Sequence, residues 1–139
     1  MSAGGLSLLS AWARVFASDD PRPEFAATAI NQVLLFYFGT SDAADDASID
    51  IIVPLVSEHG DLVPFKIIAP GAEKIAVVTD ANPEPLILAI DQIRHSPGVI
   101  VGRARFAQSG TLTCYVMRSG VLGRASRRVA VPGHWQEQS

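Results

Sequence analysis

The sequence predicts a mainly β protein, a two-sheet sandwich of about seven strands preceded by one N-terminal helix. Three observations carry this expectation. Downstream of Ser48 the chain divides into short runs rich in β-branched residues, each closed by turn-forming residues, the pattern of closely spaced strands. Over residues 21–38 apolar side chains recur at three- and four-residue steps, the period of a helix with one buried face. The chain has 139 residues, 48% of them apolar, which suits one domain with an ordinary core and a short extension.

The elements follow in order. Residues 1–17 are expected to be the remnant of an export signal: Ala3 to Trp12 is short and weakly apolar, Val15-Phe16-Ala17 has the small-x-small pattern that export peptidases cut, and no basic residue precedes Arg14. Residues 18–48 are read as the helix and an exposed acidic linker. Asp20 is an N-cap, Pro21 occupies the first turn where a missing N–H is harmless, and Glu24 lies near the positive end of the helix dipole. Phe25, Ala26, Ala29, Ile30, Val33, Leu34, Tyr37 and Phe38 form the apolar face, and Gly39 is placed to end the helix. Asp42, Asp45 and Asp46 make the linker acidic.

Residues 49–133 form the expected β domain and 134–139 a tail. Strands are placed at 49–56, 62–68, 75–80, 86–91, 99–106, 111–118 and 121–131, with turns at His59-Gly60-Asp61, Pro70-Gly71, Asn82-Pro83, Ser96-Pro97-Gly98, Ser109-Gly110 and Ser119-Gly120. Pro54 and Pro64 cannot donate to a ladder, so their strands are expected to be edges or bulged there. In the loop at residues 58–61, Gly60 is expected to take positive φ and Glu58 to accept backbone N–H groups. Asn82-Pro83-Glu84-Pro85 fixes two φ values and reads as a stiff link between strands.

Composition narrows the function. Residues 1–93 hold thirteen of the fourteen acids and four of the eleven basic residues, a balance of −9 against +6 for the remainder. Interleaved strands would pair and scatter these charges; the other reading is a surface for an anionic partner or substrate. With a net charge of −3, a nucleic-acid partner is not expected. Cys114 is the only cysteine, which leaves no internal disulfide and no multi-cysteine metal site. His59, His95 and His134 have no ligand at helical spacing, so neither a metal nor a cofactor is expected. No apolar stretch approaches the 18 to 20 residues of a membrane span. No nucleophile and base, carboxylate pair or phosphate loop stands at a usable spacing, which argues against an enzyme.

The stretch Pro54-Leu55-Val56-Ser57-Glu58-His59-Gly60-Asp61-Leu62-Val63-Pro64 resembles SoxY, the thiosulfate-carrying subunit of the Sox pathway. That family shows a proline, then Ala-Glu-Asn-Gly, then Val-Pro; here Ser57 and His59 replace the alanine and asparagine. The likeness continues in Asn82-Pro83-Glu84-Pro85-Leu86, Arg103-Ala104-Arg105-Phe106-Ala107-Gln108-Ser109, Ser119-Gly120 and Val129-Ala130-Val131, about 85 residues in all. It implies an immunoglobulin-like sandwich and a periplasmic carrier that pairs with SoxZ, holding sulfur intermediates on a cysteine within a Gly-Gly-Cys-Gly-Gly tail. In this chain Gly133 is followed by His134-Trp135-Gln136-Glu137-Gln138-Ser139, with no cysteine at that place.

The expected function is thus a SoxY-like protein that acts without covalent carriage, by pairing with a SoxZ-like subunit or as a homodimer. The alternative is an immunoglobulin-like accessory module that binds a small molecule or a protein unrelated to thiosulfate. Glu58, Arg103, Arg105 and Arg118 are the candidate partner or anion surface. Arg103 and Arg105, two apart in a strand, share a face opposite Ala104 and Phe106. Cys114 alternates with Thr113 and Tyr115 and is expected to be a buried, inert thiol beside Leu112 and Val116.

Overall fold

The computed structural model describes residues 23–91 and 97–132. The expected export remnant, the helix start at Asp20 and Pro21, His95, the beginning of the turn at Ser96 and the tail from Gly133 onward lie outside the described residues, as do the side chains of Phe25 and Ala26. Helix α1 (Pro23–Phe38) precedes eight strands: β1 (Ala44–Asp45), β2 (Asp50–Ile52), β3 (Val63–Ile68), β4 (Lys74–Thr79), β5 (Leu86–Asp91), β6 (Val99–Ala104), β7 (Gly110–Arg118) and β8 (Val121–Val129). They form a five-stranded sheet in the order β1-β8-β7-β4-β5 and a three-stranded sheet in the order β2-β3-β6.

The inward faces of the two sheets make one core. Ile51, Phe65 and Ile67 from the smaller sheet meet Ile75, Val77, Leu112, Cys114 and Val116 from the larger. Residues alternate along each strand, so the next set in β4, β7 and β8 faces the other way. Val78, Tyr115 and Leu122 lie there, and α1 covers them with Leu34, while Ile30, Val33 and Phe38 pack around this second cluster. The helix face expected from periodicity is the one buried here; Leu35 and Phe36 remain exposed. Gly39, at φ +75°, donates its N–H to the Leu35 carbonyl and ends the helix. Lys74 Nζ donates to the Tyr37 carbonyl at 3.3 Å, placing a cation at the negative end of the dipole.

Three expectations need correction. The linker is not merely exposed coil: Ala44 and Asp45 pair in parallel with Gly123 and Arg124, adding a short eighth strand. The strand expected over 49–56 ends at Ile52, because Pro54 cannot continue the ladder. The chain then changes sheets, Val56 bridging Ala130 beyond the end of β8. Gly60 does not take positive φ. It is required instead by close approach: a Cβ there would overlap the Phe106 carbonyl, and the Gly60 carbonyl accepts the Phe106 N–H at 2.6 Å. Pro64 fits its expectation, pairing with Arg103 on one side while β2 has ended at the level of Lys66 on the other.

The halves of opposite charge interleave as expected. Asp46 meets Arg118 Nη1 at 2.6 Å and Asp45 meets Arg124 at 3.0 Å. Ser48 donates its hydroxyl and its backbone N–H to Asp46 Oδ1, and with Arg118 these hold the Asp46 carboxyl below its ordinary value of 3.8 against the opposing effect of burial. A carboxyl with a depressed folded pKa adds stability that is fully present above 3.8 and lost as pH falls through the lower folded value. Acid unfolding of Asp46→Asn should therefore show a smaller loss of stability below about pH 4 than the unmodified chain, from a lower starting stability at pH 7. Separately, Gly60→Ala should lower stability by about 1–3 kcal/mol, the usual cost of overpacking, read as an earlier urea midpoint.

Candidate functional site

The free edges of the two sheets face a common groove. Strand β5 is the last strand of the larger sheet and β6 the last of the smaller, and Leu86, Ile87, Arg103 and Ala104 from these strands line an open groove of about 560 Å³. The loop at 82–84 closes one end and Arg105 and Ala107 continue the opposite wall. Asn82 sets this geometry. Its Nδ2 donates to the Arg105 carbonyl at 2.6 Å and its Oδ1 accepts the Ala107 N–H at 2.8 Å, so the amide stands in for a strand partner where β6 has ended. The Asn-Pro pair therefore does more than stiffen a link: it fastens the β4–β5 connection to the other sheet.

Alternation places Arg103 and Arg105 outward, with Ala104 and Phe106 buried behind them. Neither guanidinium has an ion-pair or hydrogen-bond partner among the described residues. The other two candidate residues are not brought to this groove. Arg118 is committed to the fold: Nη1 donates to Asp46 and to Ser48 Oγ at 3.0 Å, and Nε donates to the Pro70 carbonyl at 2.9 Å. Its Nη2 is buried without an acceptor among the described residues. An arginine that ties β7 to two loops cannot also offer an open anion surface. Glu58 is exposed and accepts none of the loop's backbone N–H groups; the Ser57 hydroxyl donates to the His59 carbonyl at 3.2 Å instead.

A second surface was not singled out from sequence. On the outward face of the smaller sheet, Ile52, Lys66 and Val101 lie side by side across the three strands, with Asp50, Ile68 and Val99 in the adjoining row. Val101 is 74% exposed, and Ile52 and Val99 are exposed with it. The alternating runs in β2 and β6 carry apolar residues on both faces, and that was the signal available in the sequence.

Cys114 lies between the sheets with no exposed surface. Burial pushes its thiol up to about 12, with the charge of Arg118 opposing. At neutral pH it is a thiol and a packing group, the opposite of the low-pKa, accessible thiolate that a carrier needs. Among the described residues no group of three or more His, Cys, Asp or Glu side chains could hold a metal, and no helix is long and apolar enough to cross a membrane.

Comparison with known proteins agrees with this architecture. No curated protein matches the chain. Among solved structures, the sulfur carrier protein SoxY from Chlorobium limicola f thiosulfatophilum is 29% identical, with a TM-score of 0.71 over 78% of this chain and 96% of that one. Superoxide reductase (neelaredoxin) from Ignicoccus hospitalis superposes with a TM-score of 0.53 over 61% of this chain and 80% of that one. At 11% identity, that second likeness speaks to the immunoglobulin-like sandwich alone. The sequence model of the family described as sulfur oxidation protein SoxY matches residues 36–133, from the end of α1 through every strand, and the chain belongs to the SoxY family.

Proposed function

We propose that this protein serves sulfur-compound oxidation in the periplasm as a degenerate SoxY, one that works through non-covalent pairing and not by carrying substrate on a thiol. The observation that carries the reading is the state of sulfur in the chain. Cys114, its only cysteine, is sealed in the core, and the residues following Gly133 place His134 and Trp135 where the family's arm has its cysteine. Neither side chain can form the sulfur–sulfur bond that covalent carriage requires. The role is one of binding, not catalysis.

Pairing is supported by the outward face of the smaller sheet. Ile52, Val99 and Val101 form an exposed apolar patch around Lys66, the composition of a surface that gains from being covered. A SoxZ-like subunit is the proposed occupant, with a second copy of this chain as the other possibility. The second reading, an accessory module that binds a small molecule or a protein unrelated to thiosulfate, draws on Arg103 and Arg105 in the groove, which have no ion-pair partner among the described residues.

Three measurements test these readings. Co-expression with a SoxZ-like subunit should yield a complex on size exclusion, and Ile52→Asp with Val101→Asp should weaken it at least tenfold while leaving the melting temperature of the isolated chain within a few degrees. No association with a SoxZ-like chain, and no dimer, would remove the pairing proposal. Incubation with thiosulfate, sulfite or tetrathionate should leave the intact mass unchanged; a covalent sulfur adduct would overturn the loss of carriage. A thiol reagent should modify Cys114 slowly in the native protein and rapidly after denaturation, as expected for a group whose thiol is pushed up to about 12 by burial. Fast native labelling would return Cys114 to consideration as a carrier.

A further inference from the structure

The open edge of β6 has its last rung already filled by a side chain. In an antiparallel pair, successive residues of a strand send both main-chain groups alternately toward the partner and away from it. Just before β6 the Gly98 carbonyl accepts the Ala69 N–H at 2.8 Å, and just beyond it the Phe106 N–H goes to the carbonyl of Gly60, in the turn that leads into β3. The register between them is unbroken, so the even-numbered residues turn toward β3 and the odd-numbered ones away. Among the latter, the Arg105 carbonyl and the Ala107 N–H are taken up by the Asn82 amide, as a residue of an adjoining strand would take them. Val101 and Arg103 come next along the same edge. Because β6 is the last strand of its sheet, their N–H and C=O groups have no strand to meet.

The sequence of this edge does little to keep a further strand off. β6 carries neither proline nor lysine, and Val99-Ile100-Val101 is an uncharged, β-branched run, whereas protected edges rely on charges and prolines. The side chains define which strand would fit. Leu86, Ile87 and Ala104 give the groove an apolar lining, while Val101 and Arg103 stand on the outer face, with Lys66 across from Val101. Arg103 and Arg105 have no ion-pair partner among the described residues, and Glu84, which lines the same groove, pairs with neither. An added strand therefore needs apolar residues on its groove side and an acid on its outer side at the level of Arg103.

We infer that β6 accepts an extended segment of another protein as an added strand, apolar toward the groove and acidic opposite Arg103, in line with the rung that Asn82 supplies. Affinity comes from the main-chain groups of Val101 and Arg103, and selection from the arginines. The inference rests on the second reading above, to which it gives a ligand class and a docking mode, and it requires neither the loss of carriage nor a SoxZ-like subunit.

The test uses the full chain and a short synthetic peptide in which valine alternates with threonine and one glutamate takes a central threonine position; the control peptide has lysine there. In hydrogen exchange read by NMR, the Val101 and Arg103 amides should exchange faster than those of Gly102 and Ala104 in the free chain, and should gain protection when the glutamate peptide is added. The lysine peptide should bind several-fold more weakly, and Arg103→Glu should reverse that preference, which a variant that merely failed to fold would not do. N-methylation of one alternate set of peptide amides should abolish binding, and methylation of the other set should leave it. Absence of peptide binding, equal binding of the two peptides, or tolerance of methylation at both sets would overturn the inference. Inorganic phosphate that shifts the Arg103 and Arg105 side-chain signals, where the peptide shifts none, would overturn it while keeping the groove as a small-molecule site. Protection of the Val101 and Arg103 amides that rises with protein concentration in the absence of peptide would overturn it in favour of a second copy on this edge.

Discussion

The row of Leu112, Cys114 and Val116 facing Phe65 and Ile67 constrains the rest of the molecule. Each large apolar side chain removed from water at such a contact contributes about 1.5–3 kcal/mol, and the period of two along β7 then dictates what faces the other way. Tyr115 must look outward, and α1 has to cover it together with Val78 and Leu122. The same row takes the sulfur atom out of chemistry, because a thiol that completes the core cannot also be presented to solvent. Function is thereby displaced to the perimeter, where the sheets end and where the outward face of the smaller sheet exposes Ile52, Val99 and Val101.

The perimeter is organised by electrostatics as much as by packing. The acids of the linker and the arginines of β7 and β8 are far apart in the chain, yet β1 lies along β8 and brings Asp45 and Asp46 to Arg124 and Arg118. Exposed pairs of this kind are worth little singly, and the Arg118 cluster gains its weight from being only 25% exposed and from tying β7 to two separate loops, at 46–48 and at Pro70. Arg103 and Arg105 stand apart from this network, without an ion-pair partner among the described residues, whereas Arg118 and Arg124 meet carboxylates.

Much of the architecture was legible in the sequence because it rests on local chemistry. The period of two located β3 to β8 to within a residue or two, and the period of 3.6 found the buried face of α1 through Leu34, Ile30 and Val33. Ser119-Gly120 marked a two-residue hairpin whose residues both take positive φ. What escaped depends on tertiary partners. No local signal says that Ala44 and Asp45 will meet β8, that Gly60 is needed for approach to Phe106 and not for its dihedral, or that Asn82 will bond across to residues 105 and 107. The candidate site was half legible for the same reason: alternation assigned Arg103 and Arg105 to an outer face, while the commitments of Arg118 involve Asp46 and Pro70, remote in sequence.

The way β8 is guarded bears on how copies of this protein can aggregate. Its outer border is occupied by β1 at one end and by the crossing chain at residues 55–57 at the other, and Arg124, Arg127 and Arg128 add charge along it. Strand-by-strand growth of the larger sheet is therefore blocked on that flank and open only at β5. A sheet with a single receptive border can join one other copy through the same border and then stop. Continuous growth of the larger sheet needs two, so that sheet favours a terminated pair over open-ended extension.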